Sequence, residues 1–174
     1  MSNKIDWATM KPYWKVVSVN NGTNSWTIPA GYRFYKVYMR CTASAPSSSS
    51  QVYLACDSKS ATAYTTGVYQ TSSTVAATAV TFGTDTTAIA PLSTAGASSG
   101  TLSPNVRFDL SRLSTTSTSL AGFYSATGGG SDWSISGKLE FTVTSSGDFT
   151  MSFSRGGGSS LANFAGYVEA LVEP

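Results

Sequence analysis

Histidine is absent from the 174 residues of this chain. That removes the commonest general base, the usual partner of a nucleophilic serine and the commonest metal ligand. Charge is scarce too: 11 basic and 9 acidic residues make up 11% of the sequence, against roughly 25% in an ordinary globular chain. No stretch approaches the roughly 18 apolar residues of a membrane span, and Met1 to Asp6 lacks the apolar run of a signal peptide. The expectation is synthesis in a cytoplasm, no membrane partner, and Cys41 and Cys56 held as thiols.

Hydroxyls fill the space that charge leaves, with 30 serines and 23 threonines. Such a chain invites a reading of disorder, but 41% of its residues are apolar and 12% aromatic. That is enough to close a core, because a chain of this length buries about 70% of its unfolded surface. The net charge of +2 is too small for a nucleic-acid binder. Its distribution is uneven: no acid lies between Trp7 and Cys56, whereas acids outnumber bases from Asp57 onward. A positive head and a negative tail would suit contact between copies or with an acidic partner.

The dominant period is two. Tyr35, Val37, Met39 and Cys41 form one apolar face, and Phe34, Lys36, Tyr38 and Arg40 the other. Val52, Leu54 and Cys56 repeat the pattern. A hairpin about Ser48 and Ser49 sets Cys41 opposite Cys56 and Ala43 opposite Leu54, which keeps apolar members on one side. Further strands are predicted at 13–19, 25–28, 75–82, 105–113, 138–144, 149–153 and 165–172. Turn residues predict hairpins across Asn20-Asn21-Gly22 and across Ser145-Ser146-Gly147-Asp148. Eight to ten short strands joined by Ser/Gly loops indicate an all-β, antiparallel two-sheet sandwich or jelly roll. Its expected extent is 13–174, behind a short arm at 1–12 with at most a turn or two of helix before Pro12. The stretch 71–103 has Asp85 as its sole charge. So neutral a segment is expected inside the sheets or against a neighbouring subunit.

Catalytic equipment is thin. Gly96-Ala97-Ser98-Ser99-Gly100 has the form of a hydrolase elbow, but that turn needs a histidine base and a following helix. The triple glycines at 128–130 and 156–158 lack the Gly-Lys-Ser/Thr of a phosphate loop. The aspartates never fall at the alternate spacing of a calcium loop. Glu140, Asp148 and Glu169 are the only carboxylates placed to act as a glycosidase pair, and Glu140 and Glu169 fit the solvent faces of strands better. No enzyme activity, cofactor or metal is expected. Binding has more support, since four tryptophans and nine tyrosines suit sugar stacking or protein interfaces. Two partner-binding groups stand out. Ile5, Trp7 and Met10 are apolar residues of the arm. Lys36, Tyr38, Arg40 and Tyr53 are predicted to share the outward face of the first hairpin.

One segment carries a resemblance. Trp26-Thr27-Ile28-Pro29-Ala30-Gly31-Tyr32, with the alternating strand after it, is similar to an aromatic-Thr-Val-Pro-Ala-Gly module of bacteriophage tail and head-appendage proteins. Residues 133–174 look like the closing strands of phage virion sandwiches. The resemblance implies a non-enzymatic virion subunit, often a homotrimer, that meets copies of itself and other virion proteins such as a major capsid or tail protein. A capsid decoration or short head or tail appendage is the leading expectation; the alternative is a tail-tip domain binding a host receptor or glycan.

Overall fold

Strands form wherever apolar and polar residues alternate, since one face of each then packs inward and the other meets solvent. The computed structural model describes residues 11–45, 51–71, 75–92, 100–128, 133–156 and 160–174. Among them run thirteen strands: β1 Tyr13–Asn21, β2 Trp26–Ile28, β3 Phe34–Ala45, β4 Gln51–Cys56, β5 Ala63–Thr71, β6 Val75–Phe82, β7 Ala88–Pro91, β8 Gly100–Leu102, β9 Asn105–Arg112, β10 Ser119–Gly128, β11 Trp133–Thr142, β12 Phe149–Gly156 and β13 Ser160–Val172. They build two antiparallel sheets packed as a sandwich, as the alternation predicts. The large sheet runs β1-β13-β3-β9-β10-β11-β5-β6, with β8 also paired to β3. The small sheet runs β2-β12-β4-β7.

The core lies between the sheets. Tyr35, Val37, Met39, Cys41 and Ala43 point into it from β3, and Val52, Leu54 and Cys56 from β4. That assignment of faces matches the alternation, but the assignment of neighbours does not. β3 pairs with β13 and β9, whereas β4 pairs with β12 and β7. The predicted hairpin of Cys41 against Cys56 is therefore not formed. The two thiols are free and enter one core from opposite sheets. β1 with β2, and β11 with β12, part in the same way, each crossing to the other sheet. Alternation demands only that each strand bury one face. A strand lying across the core meets that demand as well as one lying alongside.

Four strands escape the alternation: β5, β7, β8 and β10. In β5 and β10 the inward rows are broken by Gly67 and Gly122, and Gly137 does the same to the first half of β11. Gly137 faces Gly67 across the ladder, and Tyr124 stands opposite Gly137. The Tyr124 phenol reaches over Gly67, where an added Cβ would lie 3.1 Å from its oxygen. One ring thus fills the space that two side chains leave empty.

The resembling segment is a crossing between the sheets. β2 pairs with β12 in the small sheet, and six residues later β3 starts in the large one. Pro29 opens the turn and Gly31 takes φ +87°, open to glycine without strain. The Tyr35 hydroxyl reaches back into the turn, 2.8 Å from the Pro29 carbonyl oxygen and 2.9 Å from that of Tyr32. Ala30 N–H donates to the Asp148 carboxylate at 2.7 Å, tying this turn to the one before β12. Tyr35→Phe leaves both carbonyls without that donor and should cost about 1–2 kcal/mol. A thermal midpoint lowered by a few degrees, with unchanged circular dichroism at low temperature, is the expected result.

Burial also sets an alkaline limit. It pushes the Cys41 and Cys56 thiols up to about 12, and it raises the phenols of Tyr35 and Tyr124. An unfolded chain releases thiol protons from about pH 8.5 and phenol protons near pH 10, while the folded chain still holds them. Stability present in full below those values is therefore lost as pH rises toward the folded ones. The thermal midpoint should fall steadily between about pH 9 and pH 11, and Cys41→Ala with Cys56→Ala should make that slope shallower.

Candidate binding face

The outward face of the large sheet carries ordered rows of side chains, because antiparallel partners opposite one another share a face. One row runs Val16, Glu169, Lys36, Asp109, Phe123, Lys138 from β1 to β11. The next runs Val19, Tyr167, Tyr38, Arg107, Ser125. Charges of opposite sign alternate along the first, and aromatic rings anchor both.

Each cation sits against a ring. The Lys36 ammonium lies 3.9 Å from the Trp14 ring centre, Arg107 5.5 Å from that of Tyr38, and Lys138 5.8 Å from that of Phe123. Such contacts contribute about 0.5–1 kcal/mol at exposed sites. Tyr38 and Tyr167 stack with centres 4.6 Å apart and planes at 26°. Partial burial there raises the Tyr38 phenol, and the Arg107 guanidinium opposes the rise. Arg107 also lies 3.8 Å from Asp109.

Two shallow depressions flank these rows. One of about 520 Å³ lies between Trp14 and Phe123, with Phe34, Lys36 and Asp109 along it. The other, about 500 Å³, is bordered by Tyr38, Arg40, Arg107 and Tyr167. Phe123 is 62% exposed, and Trp14 and Tyr167 are exposed as well. This face can stack a flat apolar or sugar surface and pair with charges of either sign.

Of the residues singled out in the sequence, Lys36, Tyr38 and Arg40 do lie together here. Tyr53 does not. It sits on β4 in the small sheet, its ring edge-on to Phe82 at 5.8 Å. The separation follows from the unformed hairpin. Ile5, Trp7 and Met10 lie outside the described residues, as does most of the Gly96–Gly100 segment.

Trp14, Arg107, Phe123, Lys138 and Tyr167 complete the face, and the sequence reading had not joined them to it. Alternation with Val106 and Phe108, and with Val168, puts Arg107 and Tyr167 on outward faces. What it lacked was that β13 and β9 flank β3. The same pairing redistributes the uneven charge. The basic head supplies Lys36 and Arg33, and the acidic tail supplies their neighbours: Glu169 and Asp109 in register, and Glu173 3.6 Å from Arg33.

Asp148 is engaged by Ala30 N–H, and Glu140 is exposed on the outward face of β11. Among the described residues no three Cys, Asp or Glu side chains gather as a metal site. No family model, curated protein or solved structure matches this chain.

Proposed function

We propose that this chain is a non-enzymatic structural subunit of a bacteriophage virion, a capsid decoration or a short head or tail appendage. It acts as a homo-oligomer and docks on another virion protein through the outward face of its large sheet. The observation that carries the docking surface is the pair of rows in which Lys36, Arg107 and Lys138 each lie against an exposed or half-exposed ring. The resemblance of residues 26–38 to appendage proteins carries the virion setting. Chemistry points away from catalysis: the sequence holds no histidine, and burial keeps both thiols protonated and unreactive at neutral pH.

A second reading rests on the depression between Trp14 and Phe123. Its exposed rings suit stacking on a host-surface glycan, which would make the protein a tail-tip adhesin.

Mass spectrometry of purified particles tests the setting: the chain should be present in fixed ratio to the capsid protein, and its absence would refute the proposal. Co-sedimentation with particles stripped of the chain separates the two readings. Docking uses charge as well as rings, so Lys36→Ala with Arg40→Ala should weaken it roughly tenfold at low salt. Wild-type docking should itself weaken as salt rises, so that the gap narrows. If that variant docks normally while Trp14→Ala or Phe123→Ala loses binding to host cells, the adhesin reading prevails.

A further inference from the structure

The two edges of the large sheet differ in chemistry. β1 carries Lys15, and its pairing slips at a bulge between Val16 and Ser18. Charge and bulges are devices that keep an edge from pairing with another chain. β6 has neither. It reads Val75-Ala76-Ala77-Thr78-Ala79-Val80-Thr81-Phe82, without charge or proline, and it follows β5 for eight residues with no shift of register. Among the described residues no strand lies along its other side.

The first residues of β6, Val75 to Ala77, are exposed on both faces of the sheet. Ala76 belongs to the inward row, in line with Ile135, yet it is exposed. On the outward face Val75 is 66% exposed, and the neighbouring Val68 and Tyr64 of β5 are exposed too. An unguarded backbone edge and an apolar border therefore coincide.

We propose that β6 pairs with β6 of a second copy of this chain, antiparallel, about a two-fold axis normal to the sheet at Thr78. Such an axis sets Ala77 against Ala79 of the second copy and Val75 against Thr81, each pair on one face. Small alanines flank the axis, and no like charges meet. Centring at Thr78 leaves Phe82 outside the seam, where its ring meets Tyr53 and its carbonyl oxygen lies 3.4 Å from the Lys59 ammonium. The occupant is a second copy because one neutral strand is complementary to itself under this symmetry, whereas β1 is guarded. A contact of one edge with itself closes at two copies. The phage resemblance implies three. This inference concerns the isolated chain and stands whether or not the virion setting holds.

Light scattering on the full chain at micromolar concentration should return twice the 18.2 kDa chain mass. Ala77→Lys with Ala79→Lys sets lysine opposite lysine on both sides of the axis and should give single chains with unchanged far-ultraviolet circular dichroism. Ala77→Lys with Ala79→Glu sets opposite charges in the same places and should restore the dimer, which also shows that these positions tolerate charged side chains. A wild-type mass of one or three chains, a dimer that survives the paired lysines, or a Lys/Glu variant that stays single would each overturn the proposal.

Discussion

The Tyr35 phenol ties strand to turn where the chain passes from the small sheet to the large. Its ring is buried in the core while its hydroxyl holds the carbonyls of Pro29 and Tyr32. A buried polar tip needs such partners, and a turn with fixed partners has one geometry. Everything downstream inherits that geometry. β3 begins immediately after the turn and is the strand against which β13, β9 and β8 all align. Upstream, Trp26 plugs the small sheet, edge-on to Phe153 and Phe164. Its indole nitrogen lies 2.7 Å from where a side chain on Gly166 would begin. The indole thus reaches from β2 to the strand that flanks β3.

Much of this architecture was legible because alternation is a direct statement about burial. The faces of β3, β4 and β9, and of residues 167–170 in β13, follow from it. Neighbours do not, because a strand's apolar face is equally satisfied beside a partner or across the core from it. Cys41 and Cys56 show the ambiguity: both are inward, as read, yet they belong to different sheets. The face at Lys36, Tyr38 and Arg40 was legible for the same reason, and Tyr53 was misplaced for the same reason. β5 was illegible, since the ring that covers its inward Gly67 is that of Tyr124, two strands away on β10.

The partners of two buried cations were illegible for a different reason. Lys59 lies inside, its ammonium 2.6 Å from the Gly83 carbonyl oxygen and 3.0 Å from that of Ala88. It pins the connection between β6 and β7 to the turn after β4. Arg112 is 2% exposed, its guanidinium near the rings of Tyr35 and Phe149 and donating to the Ser146 carbonyl at 2.9 Å. Burying a charge is costly unless its hydrogen bonds are made locally. Backbone carbonyls of distant loops supply them for Lys59. Arg112 gains one such bond through Nη1, while its Nε and Nη2 have no hydrogen-bond partner among the described residues. No local pattern of residue types announces which loops those are.

The described strands of the neutral stretch at 71–103 meet two physical environments. β7 and Leu92 are fully enclosed, so their lack of charge is a core property. β6 is exposed over most of its length, so its lack of charge is not a core property, and the proposed pairing with a second copy would account for it. The two surfaces of the large sheet then obey different rules. Contacts through the Lys36 and Tyr38 rows would depend on charges that salt screens within about 10 Å, which would make the proposed docking there adjustable and reversible. Backbone pairing along β6 carries no such dependence. If both proposals hold, such a subunit would keep its copies together under conditions in which its grip on a larger particle varies, because the two attachments would draw on different physical interactions.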